Sequence, residues 1–116
     1  MTTPEVTTEQ INTLPHIIAI DFDGTLCEDK FPQIGVEHTA VIELMKAHQQ
    51  RGSEFILWTC RTNQFLDEAI AWCKERGLEF AAINDNHPAV IALGWDARKI
   101  YADQYWDDKA VVFEYA

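Results

Sequence analysis

HIIAIDFDGTL, residues 16–26, is an apolar run that ends abruptly in two carboxylates and a glycine. Residues 17–20 are all apolar and three of the four are β-branched, which is typical of a strand buried on both faces, as in a parallel sheet. Asp21 and Asp23 follow directly and are therefore expected at the carboxyl end of this strand. Because ligands bind at that edge of open α/β sheets, the stretch predicts a strand that leads into a site.

Asp21 and Asp23 are expected to lie close enough to repel each other. Two unit charges about 4 Å apart repel by roughly 4 kcal/mol at an effective dielectric constant of about 20. A hard divalent cation such as Mg²⁺ would relieve this repulsion, since it takes oxygen ligands and keeps positions open for a substrate phosphate. The alternative is a simple turn, because Asp-Gly is a common turn pair.

The composition fits one globular domain with a single core, since 47% of the 116 residues are hydrophobic and 24% are charged. The net charge of −10 argues against nucleic acid as a partner, because binding to a phosphate backbone depends on clustered Lys and Arg. The apolar runs are shorter than the roughly 20 residues of a membrane span, and the N-terminus lacks the features of a signal peptide. A cytoplasmic protein that makes no membrane contact is therefore expected.

The rest of the chain predicts alternating helices and strands. Residues 1–15 are predicted as a flexible leader, residues 16–116 as one domain, and residues 24–35 as a loop. A helix is predicted over Val36–Arg51, with its apolar face formed by Val36, Ala40, Val41, Leu44 and Ala47.

A second helix is predicted to begin at Thr62 or Asn63 and to end at Gly77, and a short third helix to span Pro88–Leu93. The predicted apolar face of the second helix consists of Leu66, Ala69, Ile70 and Cys73. Further strands are predicted at Glu54–Thr59, Glu79–Ile83, Ile100–Trp106 and Ala110–Phe113. This alternation implies right-handed crossovers and parallel pairing, although Asp103 inside a predicted strand has no evident role.

Four features that carry chemistry fall at the ends of these predicted strands. They are, in chain order, Asp21 with Asp23, then Thr59, then Lys99, and then Asp107 with Asp108. Asp21, Thr59 and Asp107 lie at the carboxyl ends of their predicted strands, which meet at one edge of a parallel sheet, so a shared site is expected there; Lys99 directly precedes a predicted strand.

These motifs resemble those of the haloacid dehalogenase-like (HAD) phosphohydrolase superfamily. Residues 21–26, DFDGTL, resemble its first motif, Asp-x-Asp-Gly-Thr after a hydrophobic strand. Thr59, Lys99 and the pair Asp107-Asp108 are similar to its second, third and fourth motifs in type, order and position. The resemblance covers residues 16–113 and implies a Rossmann-like three-layer α/β/α domain with a mainly parallel central sheet.

The resemblance implies a Mg²⁺-dependent phosphatase that hydrolyses a phosphate monoester through an aspartyl-phosphate. Asp21 would attack phosphorus, while Asp23 would protonate the leaving oxygen and later activate water. Thr59 and Lys99 would hold the phosphate, with Arg98 as the alternative to Lys99.

The resemblance also implies how the metal and the phosphate are bound. The metal ligands would be Asp21, the backbone carbonyl of Asp23, Asp107 and Asp108. The expected phosphate or substrate contacts are Gly24, Thr25, Cys60 and Arg61. Arg61 would clamp an anionic substrate, unless it pairs with a surface acid.

Neither gap in which members of this superfamily carry a cap domain is long enough for one, so the domain is expected to be capless. An open site suggests a bulky phosphorylated substrate, a small molecule or a macromolecule, or a homo-oligomer in which a neighbouring subunit covers the site. The apolar segment His87–Trp95 is a candidate for that contact, and a short core helix is the equally good alternative.

Three other functions are compatible with some of these motifs. A phosphotransfer receiver domain also clusters Asp, Thr and Lys, but it carries them in another order. A dehalogenase shares the first Asp but needs neither the second acid nor a metal. The remaining alternative is a HAD-like binding or regulatory module without turnover.

Overall fold

Strand β1, Ile17–Ile20, lies inside the sheet and is buried along its whole length, as its unbroken apolar run predicts. The computed structural model describes residues 5–115. Its helices are α1 (Thr8–Asn12), α2 (Thr39–Gln50), α3 (Asn63–Glu75) and α4 (Pro88–Ala92). Its further strands are β2 (Cys27–Lys30), β3 (Gln33–Glu37), β4 (Glu54–Leu57), β5 (Ala82–Ile83) and β6 (Gln104–Trp106).

The central sheet has the strand order β5-β4-β1-β6, and all its pairs are parallel. Ile20 of β1 is in register with Leu57 of β4 on one side and with Trp106 of β6 on the other. The predicted α/β class with a parallel central sheet is confirmed, and the arrangement is consistent with a Rossmann-like fold. The residues that follow β1, β4 and β6 consequently emerge at one edge of the sheet.

Each face of the sheet has its own core. Alternation along β1 directs Ile18 and Ile20 to one face, where they pack with buried residues of α2 and α3. Ile17 and Ala19 point to the other face, where they pack with Val90 of α4 and with Ile100. The segment His87–Trp95 therefore contributes to the core through α4. This agrees with the short core helix, which was the alternative to a contact with a neighbouring subunit.

Residues 27–37 form an antiparallel hairpin, β2–β3, where the sequence predicted a loop up to Gly35 and then a helix. Polar residues fill β2 after the buried Cys27, so the hydrophobic signal of a strand is missing. Gly35 is required for the close approach of the two strands, because a Cβ there would lie 2.3 Å from the Glu28 carbonyl oxygen.

The predicted apolar face of the first long helix is mostly wrong, since Val41 is the one member of it that packs against the core. Helix α2 buries Ile42 and Met45, while Leu44 is 49% exposed and Val36 belongs to β3. The reason lies before the helix, where the His38 N–H donates to the Leu26 carbonyl and so sets how the helix enters the domain. The face predicted for α3 is confirmed, since Ala69 and Cys73 are buried and Leu66 and Ile70 pack against the same core.

The last three predicted strands differ from the structure, and the one predicted at Glu79–Ile83 is reduced to Ala82–Ile83. The chain is in sheet pairing only at Gln104–Trp106, because Asp103 takes a different role: its backbone N–H donates to the Ile17 carbonyl (2.7 Å) and its Oδ2 accepts the Ile17 N–H (2.7 Å). The strand predicted at Ala110–Phe113 does not form in the described chain. Val111 and Val112 are 76% and 86% exposed, with no neighbouring strand beyond β6 in the described sheet.

Part of the predicted leader is helical. Residues 1–4 lie outside the described residues, but a capping box between Thr7 and Gln10 begins α1, and Leu14 packs against the core on the second face of the sheet. Across residues 5–115, no helix is both long and apolar enough to cross a membrane.

Candidate active site

Three strand ends position the candidate site. The backbone N–H of Asp21, just after β1, donates to the Trp106 carbonyl at the end of β6 (2.9 Å). The Trp58 N–H, just after β4, donates to the Ile20 carbonyl (2.9 Å). These bonds extend the sheet by one residue and bring Asp21 next to the segments that carry Thr59 and Asp107.

The carboxylates of Asp21, Asp107 and Asp108 form one cluster, in which one oxygen from each lies within 4.8 Å of the others. Burial raises the pKa of Asp21 from 3.8 to about 6, and the charge of Asp107 and a hydrogen bond with Asp108 act in the same direction. The donor set is made only of carboxylate oxygens, which is the chemistry that Mg²⁺ requires. These residues therefore fit a hard divalent cation.

Thr25 and Gly24 hold this acidic cluster together. The Thr25 hydroxyl donates to Asp21 Oδ2 (3.3 Å), and its oxygen accepts the backbone N–H of Asp108 (3.1 Å). Gly24 has φ +90°, and a Cβ there would lie 2.3 Å from Asp108 Oδ2. Both residues were predicted as phosphate contacts, and in the structure they set the positions of the acids.

Thr59 and Cys60 line the same two cavities as Asp21 and Asp107. The Thr59 N–H donates to Asn84 Oδ1 (2.8 Å), and its hydroxyl oxygen accepts the Arg61 N–H (3.2 Å). Neither bond uses the hydroxyl hydrogen of Thr59, so that hydrogen can be donated to another acceptor. Cavities of about 460 and 400 Å³ adjoin here, and the residues that line both of them are Asp21, Thr59, Cys60 and Asp107.

Arg61 pairs with an acid, which was the alternative to a substrate clamp, and that acid is Asp23. Arg61 is 2% exposed and binds Asp23 through two hydrogen bonds of 2.8 and 2.7 Å. Its remaining N–H groups donate to the carbonyls of Pro32, Gln33 and Phe65. The hydrogen bonds to Asp23 raise the pKa of Arg61.

Asp23 is paired with Arg61 and does not belong to the acidic cluster. Its carboxylate is not one of the clustered acids that could hold a cation in the described chain, although Asp23 lines the larger cavity together with Asp21. The structure thus separates the two acids of the first motif, Asp21 toward the cluster and Asp23 toward Arg61.

The structure does not bring Lys99 to the cavities. Its Nζ lies 5.8 Å from the centre of the Tyr105 ring, and among residues 5–115 neither Lys99 nor Arg98 lines either cavity at Asp21. Lys109 lines the larger cavity, and its backbone N–H donates to Asp107 Oδ1 (2.9 Å).

Three further residues lie around the site. Lys109 follows the pair Asp107-Asp108 directly, so its position in the sequence could have indicated that it lies near the site. Asn84, in a left-handed conformation with φ +51°, supports Thr59, and Phe31 of the hairpin lines the larger cavity. Phe31 belongs to the loop predicted after the first motif, where an aromatic side chain can face a substrate. No local signal marks Asn84 as the support of Thr59, because that contact depends on two loops meeting at the sheet edge.

Comparison with known proteins gives one informative result. No family model matches the chain, and no curated protein matches it significantly. A solved structure, described as that of a conserved protein coded by a locus of Bacteroides thetaiotaomicron, is similar to it with 44% sequence identity and a TM-score of 0.74. The match covers 82% of this chain and 77% of that one.

Proposed function

Given that the chain belongs to one family with the conserved Bacteroides thetaiotaomicron protein, whose description names no activity, we propose a function from the site itself. The chain is a Mg²⁺-dependent phosphatase of the HAD-like type, which hydrolyses a phosphate monoester through an aspartyl-phosphate. It acts in the cytoplasm, where its three free cysteines stay reduced.

The observation that carries this proposal is the convergence of Asp21 with Asp107 and Asp108 beside a hydroxyl and an open cavity. Asp21 is partly buried and its raised pKa reflects that burial and the nearby acids. A cation bound among these carboxylates would offset the repulsion between their negative charges. The order of the motifs along the chain supports the same function.

Asp21, Asp107 and Asp108 would hold Mg²⁺. When bound, the cation neutralises the negative charge that develops on the phosphoryl oxygens, and it favours the ionised form of Asp21.

The residues of the chain supply the two chemical steps. A carboxylate oxygen of Asp21 attacks phosphorus, the bond from phosphorus to the leaving oxygen breaks, and Asp23 gives that oxygen a proton. Asp23 then takes a proton from water, the water oxygen bonds to phosphorus, and the bond from phosphorus to Asp21 breaks to release inorganic phosphate. Thr59 donates its hydroxyl to a phosphoryl oxygen throughout.

Lys109 supplies a positive charge beside the phosphoryl group, since it lines the cavity at Asp21. Lys99, the residue expected from the motif order, is the alternative. The substrate is a phosphorylated small molecule or macromolecule, because the cavities at Asp21 are open rather than enclosed by an inserted domain in the described chain.

A second candidate function is a binding or regulatory module without turnover. The observation that favours it is the bidentate pairing of Asp23 with Arg61, which engages the proposed acid and base with another side chain. In that case the acidic cluster would bind a cation, or a phosphorylated ligand through it, and Asp21 would not be phosphorylated.

Hydrolysis of p-nitrophenyl phosphate tests the proposal, because p-nitrophenolate is a good leaving group and needs little help from an acid. We expect turnover with Mg²⁺, loss of turnover with EDTA, and loss in Asp21→Asn. Asp67→Asn, which changes an exposed acid on α3, is the matched control and should retain activity. Cation binding without turnover, for this and other phosphate monoesters, would favour the binding module, and neither binding nor turnover would contradict both.

A further inference from the structure

Arg61 is a buried cation whose N–H groups are all engaged by the chain. Nε and Nη2 donate to the two oxygens of Asp23, and the other N–H groups donate to carbonyls of Pro32, Gln33 and Phe65. The guanidinium therefore joins three segments: the loop after β1, the turn of the β2–β3 hairpin and the first turn of α3. Its side chain is 1% exposed, so these bonds are shielded from water.

Two aromatic rings restrict the guanidinium further. Its Cζ lies 5.1 Å from the ring centres of both Phe22 and Phe31. Phe22 is fully buried in the core, and Phe31 lines the cavity at Asp21. A planar group that is stacked on rings and bonded through every N–H has one orientation, and it imposes that orientation on its carboxylate partner.

A lysine would not replace this arrangement. An ammonium has three donors on a flexible stem and cannot bind both oxygens of a carboxylate in a fixed plane while also reaching three carbonyls. A buried cation is costly unless its hydrogen bonds are complete, and here they are complete. The side chain of Asp23 is 16% exposed, and Asp23 and Arg61 both line the larger cavity.

We propose that Arg61 is a positioning residue, which fixes the Asp23 carboxylate at the cavity wall and fastens the hairpin turn beside it. The inference rests on the proposed function, in which Asp23 transfers protons to and from the reacting oxygens. Arg61 touches neither phosphate nor metal in this role and acts only through Asp23. The predicted substrate clamp is thus replaced by a support behind the proposed acid.

Arg76 provides a matched control. It also joins β3 to α3, through Glu37 Oε1 (3.3 Å) and the Trp72 carbonyl (3.0 Å), and its Cζ lies 3.7 Å from the Trp72 ring centre. None of these partners belongs to the candidate site. Arg76→Lys makes the same chemical change at a second contact between β3 and α3, with two side-chain hydrogen bonds instead of five and a side chain that is 27% exposed, and it does not touch Asp23.

The test is a double-mutant cycle of Arg61→Lys with Asp23→Asn, measured as kcat/KM for phenyl phosphate. Phenolate leaves poorly, so this ester needs the proton that Asp23 supplies. We expect Arg61→Lys to lower kcat/KM about 100-fold with Asp23 present, since a displacement of about 1 Å can cost that much. With Asn at position 23, it should cost less than about twofold, and Arg76→Lys should also stay within about twofold.

Equal losses from Arg61→Lys in both backgrounds would overturn the inference, because Arg61 would then act independently of Asp23. A folded Arg61→Lys protein with full kcat/KM would overturn it as well. Absence of turnover in the unmodified chain would count against the proposed function instead.

A second measurement tests the pair without turnover and without the Arg61 variant. We expect the NMR signal of the Arg61 Nε–H to be protected from exchange with water, to change in Asp23→Asn, and to stay unchanged in Arg76→Lys. A signal that is insensitive to Asp23→Asn would overturn the inference regardless of activity.

Discussion

Gly24 and Asp108, which are far apart in the sequence, lie in direct contact at the candidate site. A Cβ on residue 24 would be 2.3 Å from Asp108 Oδ2 and 2.7 Å from its Cγ. Gly24 also has φ +90°, which disfavours any side chain. The glycine of the first motif is therefore required both by the turn and by the acid that packs against it.

We expect Gly24→Ala to displace the Asp108 carboxylate and to weaken Mg²⁺ binding, with a loss of activity of at least about tenfold. Strain at the positive φ adds a stability cost of about 1–3 kcal/mol. Gly52→Ala is the matched control, because Gly52 has φ +92° but a Cβ there would meet no atom within 4 Å. Isothermal titration with Mg²⁺ and thermal unfolding separate the two effects. Equal Mg²⁺ affinities in both variants would contradict the role assigned to the contact.

Thr25 links two of the clustered acids through one hydroxyl, and it is only 8% exposed. Thr25→Val keeps the shape but leaves the Asp108 N–H without its acceptor. We expect a loss of about 1–3 kcal/mol in the free energy of unfolding, measured with urea, and reduced turnover. Thr25→Ser keeps the hydroxyl and should recover most of the turnover. If Thr25→Ser fails to restore turnover, or if Thr25→Val turns over as fast as Thr25→Ser, the loss of turnover is not caused by loss of the hydroxyl.

The raised pKa of Asp21 predicts how stability depends on pH in the absence of metal. The pKa is about 6 in the folded chain against an ordinary value of 3.8, mainly because of burial. The folded chain holds the proton more tightly, so the contribution of Asp21 to stability falls as the pH rises from about 4 to about 6 and is level above that.

We therefore expect Asp21→Asn, in EDTA, to be more stable than the unmodified chain at about pH 8 and to lose that advantage toward about pH 4. Denaturant unfolding at several pH values measures the difference. Asp67→Asn, which removes a charge from an exposed position on α3, controls for net charge. An advantage that grows toward low pH would have the wrong sign and contradict the prediction.

The two candidate lysines give opposite predictions. We expect Lys109→Ala to raise KM for p-nitrophenyl phosphate about tenfold, because a hydrogen bond to a charged group is worth about 1.5–3 kcal/mol and Lys109 lines the cavity. Lys99→Ala should change KM less, since its Nζ lies over the Tyr105 ring. Steady-state kinetics of both variants decide the question, and the larger effect in Lys99→Ala would restore the residue predicted from the motif order.

Several elements of the fold were predictable because their signals are local. The apolar run before Asp21 predicts a buried strand, and the spacing of Leu66, Ala69, Ile70 and Cys73 predicts which face of α3 is buried. The buried face of α2 was mispredicted because its apolar residues can be grouped into more than one face at helical spacing. Its start at Thr39, set by the bond from His38 to Leu26, selects Ile42 and Met45.

The β2–β3 hairpin and the role of Asp103 were not predictable for a different reason. Strand β2 has no apolar residue after Cys27, and β3 has only Ile34 and Val36 on either side of Gly35, so the hydrophobic alternation is too short to predict the hairpin. Asp103 bonds both backbone groups of Ile17, a residue 86 positions earlier in the chain. Such a bond depends on how β6 approaches β1 and not on the residues around Asp103.

The sequence by itself determined the α/β class and the succession of acids at strand ends, because hydrophobic runs and the residues that end them are local properties of the chain. Only the tertiary structure decided which side chains those acids face. Asp21 joins Asp107 and Asp108, whereas Asp23 pairs with Arg61, 38 residues away. That choice follows from packing, since the hairpin turn and α3 bury the Arg61 guanidinium and both oxygens of Asp23 accept its hydrogen bonds.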